Sequence, residues 1–411
     1  MQFDFGLHSS LLLVFLAHLL VYSGLCLRRY VAEKYASDFW LSLLLLLTFL
    51  YVCPWMLGFA GWYSKQPFRD ILFYVPFQHL YAIGPAILFY VLSLLNPGFS
   101  FRKKFLIHFI PAGLYIVYSL LIFVYDKLIF GRYYFLADER DRDFDDWYQI
   151  SGFISMIIYF VAALRFYLSY RKIVLSFLSN ADAFSFTYIR NFLIAVLCIL
   201  VSWCIVAIYG LFFRVNFLDS WWHFLFFSIF SYYVAIAGYS NAVRSKLYIE
   251  RWTLRSTGSI LLAKGSKRLQ NGPSEMVLLA EPQEIQEPKP EPVAEEYPEW
   301  LERINALMES EKCYEDPELS LPQLAARLQL SVPALSRIVN KGSGRNFNDF
   351  INGYRVSAVM ALLTEGAHKK STILGLAYDC GFNSKSTFNR AFRKQTGLSP
   401  KDFVTSLGKN K

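Results

Sequence analysis

Gly381-Phe382-Asn383-Ser384-Lys385-Ser386-Thr387-Phe388-Asn389-Arg390-Ala391-Phe392-Arg393-Lys394-Gln395-Thr396-Gly397-Leu398-Ser399-Pro400 reads as a turn, a capped helix and a stop. Gly381-Phe382-Asn383 makes the turn, and the Ser384 hydroxyl can accept a hydrogen bond from an orphan amide of the first helical turn. Phe388 and Phe392 stand four residues apart and share one helix face, which predicts an inward stripe. Lys385, Ser386, Thr387, Asn389, Arg390 and Arg393 are left to the other face. Upstream, Ile373, Leu376 and Ala377 supply the apolar face of a partner helix.

The same plan stands about 50 residues earlier. Ser320-Leu321-Pro322-Gln323 has the form of a capping box with an early proline, and Leu321, Leu324, Ala325 and Leu328 follow at helical spacing. After a turn at Gln329-Leu330, Ser331 caps a second helix through Lys341. Leu335, Ile338 and Val339 face inward there, and Pro333, Ala334, Ser336, Arg337, Asn340 and Lys341 face out. Slim, polar and basic residues on one exposed face suit close approach to base edges and phosphates. Phe350 to Leu363 reads as an amphipathic helix holding the two units apart. From Ser320 to Lys411 there are 14 Lys and Arg against four Asp and Glu. That balance fits several phosphate contacts and a steep salt dependence.

Residues 300 to 407 resemble the DNA-binding domain of the AraC/XylS family, whose signature G-F-x-S-x-S-x-F-x-R-x-F-[KR]-[KR]-x-x-G-x-S-P is met throughout Gly381–Pro400. Arg355, Leu362 and Leu363 fit that family's linker helix. Two positions depart: Gln329, where the family usually has Gly, and Gly375, where an acidic residue is common. The resemblance implies two recognition helices entering successive major grooves of double-stranded DNA, about 34 Å apart. It makes Pro333, Ala334, Ser336, Arg337, Asn340 and Lys341 the readers of one half-site, and Lys385, Ser386, Thr387, Asn389, Arg390 and Arg393 those of the other.

The rest of the 411-residue chain has a different solvent. Overall it is 55% hydrophobic and 18% aromatic, too apolar for an ordinary soluble protein. Crossing a bilayer takes about 20 apolar residues in a helix. Seven segments qualify, at roughly 7–27, 39–60, 71–95, 105–125, 150–170, 190–213 and 221–240, with Pro76 and Pro85 interrupting the third. The N-terminal run has no basic leader or small-residue cleavage site and is expected to stay as a helix. Lys and Arg mark the cytoplasmic loops: Arg28, Arg29 and Lys34; Arg102, Lys103 and Lys104; Arg171, Lys172 and Arg190; then Arg244, Lys246, Arg251 and Arg255. An outside N-terminus and a cytoplasmic C-terminus follow, in a bacterial inner membrane. Gly84-Pro85-Ala86-Ile87-Leu88-Phe89-Tyr90 and His108-Phe109-Ile110-Pro111 are similar to the seven-helix modules that precede AraC-type domains in membrane-bound bacterial regulators.

The expected fold class is therefore all-α: a polytopic membrane bundle of about seven spans, then a soluble helical domain with two helix-turn-helix units. The expected boundaries are 1–240 for the membrane sensor or anchor, 241–298 for a juxtamembrane segment and a Pro/Glu-rich linker, and 299–411 for the DNA-binding domain. The run Glu281–Pro292 cannot bury a core, and Tyr248 and Trp252 are placed for interfacial anchoring between the seventh span and the linker.

Enzymes and metal sites find little support. The six cysteines include no C-x-x-C pair and form no pattern with His, so neither a disulfide framework nor zinc is indicated. The spans carry no paired carboxylates at mid-depth of the kind that mark proton or ion paths. Asp141, Asp143 and Asp145 begin like a calcium loop, but Asp146 stands at position six and Gly152 at position twelve. No cofactor and no metal are expected. Five of the six histidines lie in or at spans, and His18 and His79 are candidates for ligand or pH sensing, against the plainer reading that each hydrogen-bonds a neighbour. The expected partners are promoter DNA, the lipid bilayer, RNA polymerase, a second copy of the chain and an unidentified signal ligand. Two rivals stay open: a membrane enzyme or transporter with a regulatory appendage, and release of the domain by cleavage of the linker.

Overall fold

The computed structural model describes residues 5–96, 99, 101–135, 145–179, 186–213, 217–240 and 297–409. The acidic loop around Asp141 and Asp143, the Glu281–Pro292 run, and Tyr248 and Trp252 lie outside the described residues. The described residues form fifteen α-helices, and no sheet beyond a single isolated bridge. They fall into two compact units: Met1–Leu168 and Phe186–Lys267 make the first; Ser169–Ser185 and Arg268–Lys411 make the second.

The first unit holds α1 (Leu7–Glu33), α2 (Ala36–Phe59), α3 (Phe68–Tyr74), α4 (Leu80–Leu95), α5 (Ile110–Phe123), most of α6 (Asp145–Phe177), α7 (Phe186–Phe212) and α8 (Trp221–Ser240). Six helical stretches among the described residues are long and apolar enough to cross a membrane, and α4 is a shorter apolar helix of 16 residues. The third expected segment is thus two helices. Pro76 supplies no amide and disfavours the helical state of the residue before it, so Val75 is extended and α3 stops. The chain restarts at α4, whose first amide, that of Leu80, donates to the Tyr148 hydroxyl at 3.1 Å.

Apolar side chains such as Val14 and Val21 on α1, Leu114 and Leu121 on α5 and Ile205 and Ile208 on α7 are exposed to the surroundings. In water such a surface would carry a large hydrophobic cost; in lipid it is the expected outer face. Several polar groups are instead turned inward and paired. Ser23 and Ser42 each donate to the other's carbonyl, at 2.9 and 2.8 Å, a reciprocal bond of the kind that joins helices in apolar surroundings. Arg29 pairs with Asp38 through Nε at 2.8 Å and donates to the Tyr239 carbonyl at 2.9 Å, tying α1, α2 and α8. At Gly152 on α6 a Cβ would stand 2.7 Å from that of Leu80, so the glycine lets α6 and α4 approach closely.

The second unit contains α9 (Tyr297–Glu311), α10 (Leu321–Arg327), α11 (Val332–Arg337, prolonged by a π turn to Gly342), α12 (Phe347–Thr364), α13 (Ile373–Asp379), α14 (Lys385–Thr396) and α15 (Pro400–Lys409). It has two apolar cores. Leu321, Leu324, Leu335, Ile338, Val339, Phe347 and Ile351 close the first; Val356, Val359, Leu363, Leu376, Phe382, Phe388 and Phe392 close the second. The single helix α12 serves both, its first half one core and its second half the other. This is how the chain holds two helix-turn-helix units in a fixed relation. The expected Phe350 start lies one turn inside a helix that begins at Phe347.

Candidate nucleic-acid interface

Each helix-turn-helix unit is a pair of helices joined by a turn with one left-handed residue. In the first, Gln323 Oε1 turns back to accept from the Ser320 amide at 2.7 Å and the Ser320 hydroxyl at 2.8 Å, which starts α10 as the motif predicts. Gln329 takes φ +54° in the turn, the conformation that glycine adopts without strain. Ser331 Oγ then accepts from the Ala334 amide at 3.3 Å and begins α11. In the second, Thr372 caps α13 by accepting from the Gly375 amide at 3.0 Å, Gly381 takes φ +89°, and Ser384 Oγ accepts from the Thr387 amide at 3.2 Å.

The second helix of each pair carries the candidate readers. On α11 and its extension, Asn340 and Lys341 are exposed, while Pro333, Ser336 and Arg337 are half-buried at the rim. Asn340 Nδ2 donates to Ser336 Oγ at 3.1 Å, and Arg337 Nε lies 3.4 Å from the Pro333 carbonyl. On α14, Lys385, Ser386, Asn389, Arg390 and Arg393 are exposed. Two expectations need correcting. Ala334 and Thr387 are buried, each 3% exposed, and not outward-facing. Both occupy the third position after the serine cap, in the first turn of the helix, and their amides are the ones that the caps receive. The Thr387 hydroxyl bonds Ser384 Oγ at 2.8 Å, so it supports the cap.

An open concavity of about 910 Å³ runs beside α14, lined by Lys385, Asn389, Arg390, Arg393 and Lys394 from that helix and by Ser399 and Lys401 from the start of α15. Lys394 Nζ is also paired with Asp349 at 2.8 Å. Lys401 was not singled out in the sequence reading. Its signal is Ser399-Pro400-Lys401-Asp402, an N-cap whose Oγ accepts from the Asp402 amide at 3.2 Å, which sets a lysine in the first turn of α15 facing the groove. The concavity thus gathers five cations and the Asn389 amide around an apolar floor that includes Ile373, Leu374 and Phe388, and its charge suits a polyanion.

The histidine candidates are not gathered. His18 is exposed on α1, with Nδ1 2.7 Å from the Val14 carbonyl and its ring edge-on to Tyr232 on α8. His79 is the residue before α4 and meets Tyr115 on α5. His108 Nδ1 lies 2.7 Å from the Tyr159 hydroxyl and His223 Nε2 3.4 Å from that of Tyr51. Sequence reading missed two polar groups in this unit. Asp126, just past the expected end of a span, is fully buried in a π turn and accepts from Tyr74 Oη at 3.0 Å. Lys127 beside it pairs with Asp70 at 2.8 Å over the Tyr133 ring, 4.2 Å away. No group of three metal-ligating side chains occurs among the described residues.

Residues 324–406 match the family described as a helix-turn-helix domain. Among curated relatives, the chain is similar to the HTH-type transcriptional activator RhaS of Mannheimia succiniciproducens, at 24% identity over 87 residues. It is also similar to RhaS of Escherichia coli O157:H7, at 26% over 100 residues. These matches cover 21% and 24% of this chain and 31% and 35% of the relatives, so the chain spans about a third of the length of each. No solved structure matches.

Proposed function

We propose that this chain, which carries an AraC-type helix-turn-helix domain at residues 324–406, is a membrane-anchored, sequence-specific DNA-binding regulator of transcription. The observation that carries the reading is the repeated geometry of α10–α11 and α13–α14. Each second helix is begun by a serine cap, buried on one face and lined on the other by small, polar and basic side chains. Ser336, Arg337, Asn340 and Lys341 then read one major groove, and Lys385, Ser386, Asn389, Arg390 and Arg393 the next. Pro333 sits at the rim and shapes the approach. Ala334 and Thr387 act from beneath, setting the pitch of each helix.

The apolar helices of the first unit are the anchor, with the N-terminus outside and the C-terminal unit in the cytoplasm, as the distribution of Lys and Arg favours. The segment 241–298 is the tether that joins the two. The membrane unit receives a signal, for which His18, His79 and the Asp70–Lys127 cluster are the polar candidates, and the DNA-binding unit converts it into promoter occupancy. Two tethered copies on repeated half-sites would raise each other's effective concentration.

Genome-wide occupancy of the full-length protein in intact cells tests this, beside an Arg337→Ala, Arg390→Ala double variant at equal abundance. Discrete sites that the variant loses are expected. Absence of sites from the unaltered protein, present in the membrane fraction, would overturn the reading.

A further inference from the structure

Arg355 is the largest fully buried side chain of the second unit, 1% exposed at the middle of α12 between the two cores. A guanidinium has five N–H groups and keeps its charge, so its burial demands five acceptors. The structure supplies them without a carboxylate in contact. Nε donates to the Tyr314 carbonyl at 2.7 Å and one Nη to the Asp316 carbonyl at 2.7 Å. Asn352 Oδ1 accepts at 3.3 Å. The remaining two acceptors are both on Ser179: its carbonyl at 3.3 Å and its hydroxyl at 3.0 Å. Burial, only partly opposed by the charge of Asp316, brings the Arg355 pKa down to about 10.

Ser179 is itself fully buried, and the contact is more than one bond. Its amide donates to the Leu319 carbonyl at 3.2 Å, Leu178 and Ser320 form an antiparallel bridge, and Asn348 Nδ2 donates to the Ser179 carbonyl at 2.8 Å. Phe177 packs against the first core. So Phe177-Leu178-Ser179, within the Ser169–Ser185 part of the second unit, forms a strap on the domain from a place in sequence more than 100 residues before Tyr297, where its helices begin. That strap begins with the last residue of α6, one of the long apolar helices, and runs two residues past its end.

We infer that Phe177–Ser179 is a built-in regulatory strap, and that its docking on Arg355 is the two-state element through which α6 governs the DNA-binding unit. The inference rests on the function proposed above. Docked, the strap fills the guanidinium's acceptor set and fixes the Ser320 end of α10 and the Asn348 turn of α12. Undocked, two N–H groups of Arg355 pass to water and those two elements lose their shared clamp. Any ligand or change that favours one position of the end of α6 shifts this balance, because only differential interaction with two states can carry a signal.

The test uses the full-length protein in membrane vesicles and in cells. A Ser179→Cys variant is exposed to a water-soluble maleimide and compared with Lys172→Cys, an exposed position on α6. Labelling of the Ser179→Cys variant at least tenfold slower is expected, and adding Asn348→Ala should bring the two rates together. Equal rates without that second change would overturn docking, whatever happens at DNA. In cells, Asn348→Ala and Ser179→Pro, which removes the amide bonded to Leu319, are each expected to change output from an occupied promoter at least fivefold while the protein stays folded by protease resistance. A protected thiol at position 179 with unchanged output in both of these variants would reduce the strap to a structural role and overturn its control of the unit. Failure of the unaltered protein to occupy any promoter would instead count against the proposed function, since the labelling result does not depend on DNA.

Discussion

The two helix-turn-helix units solve one problem twice, with different tolerance. Both need a left-handed residue between their helices. The first places Gln329 there, at φ +54°, and the second Gly381, at φ +89°. The difference lies in what surrounds the turn. A Cβ on Gly381 would stand 2.3 Å from the Tyr314 carbonyl oxygen and 2.8 Å from that of Glu315, the same backbone stretch that receives Arg355. The second turn is therefore a docking surface between the two helix-turn-helix units as well as a bend, and it has no room for any Cβ. A repeated motif thus keeps its caps and stripes in both copies, while the demand on a single turn residue depends on which copy must seat the other.

The largest way to break the comparison is Gly381→Ala. The clash with backbone and the positive φ act together, and a loss of about 3 kcal/mol or more is expected, enough to unfold the second helix-turn-helix. Circular dichroism and thermal unfolding of the full-length protein check it. A drop below about 1 kcal/mol would mean that the turn yields and is no docking surface. Next come the readers. Arg337→Ala and Arg390→Ala should each weaken operator binding by about 1–3 kcal/mol and relax preference at one base position if the guanidinium reaches a guanine. Binding to a randomised-site library separates this from phosphate contact, for which weakening is uniform across sequences.

A smaller effect sharpens the comparison from the other side. Gln329→Gly relieves the left-handed backbone at φ +54°, worth about 1–2 kcal/mol, but gives up the contacts of the Gln329 side chain, so a shift of the denaturation midpoint no larger than about 1 kcal/mol is expected; a larger loss would show that the side chain, and not the backbone, governs this turn. The last contrast leaves stability untouched. Each core contains one cysteine, and burial pushes the thiol of each up. Cys313 is opposed by the charge of Arg327, whose Nη is 3.2 Å from Sγ. Cys380, raised further by Glu315 and Asp379 and lowered only by Lys312, reaches about 11. Since the thiolate is the reactive form, Cys380 should alkylate slowly at about pH 8 and accelerate only as pH approaches about 11, with Cys313 the faster of the two near neutral pH and the difference shrinking as pH approaches about 11. Mass-spectrometric labelling of the native protein gives the order directly.

Much of this was legible in the residues. The Ser320–Gln323 box, the Ser331 and Ser384 caps and the Phe388–Phe392 stripe each state a local rule that the structure obeys. So do the apolar runs, because hydrocarbon thickness fixes helix length. The departures come where local rules stop. Helical periodicity gives a side chain's direction but not the depth of the neighbouring helix, so Ala334 and Thr387 read as outward while the first turn of each helix is tucked in. Pro76 marked an interruption but not its outcome, a break into α3 and α4. Asp126 sits one residue beyond an expected span and is buried by a π turn that no pattern announces. Ser179 is a loop serine with no periodic signal. Its role comes from Arg355, 176 positions away, and only the full set of guanidinium acceptors reveals it.

The central claim is that one chain is both a membrane protein and a reader of specific DNA. The most direct measurement embeds the full-length protein in lipid nanodiscs, incubates them with sheared genomic DNA at about 0.15 M salt, and sequences what is retained. The account predicts a small set of strongly enriched fragments sharing a two-part motif, lost when Arg337 and Arg390 are both replaced by alanine. Retention without sequence enrichment, or equal enrichment by the double variant, would contradict it.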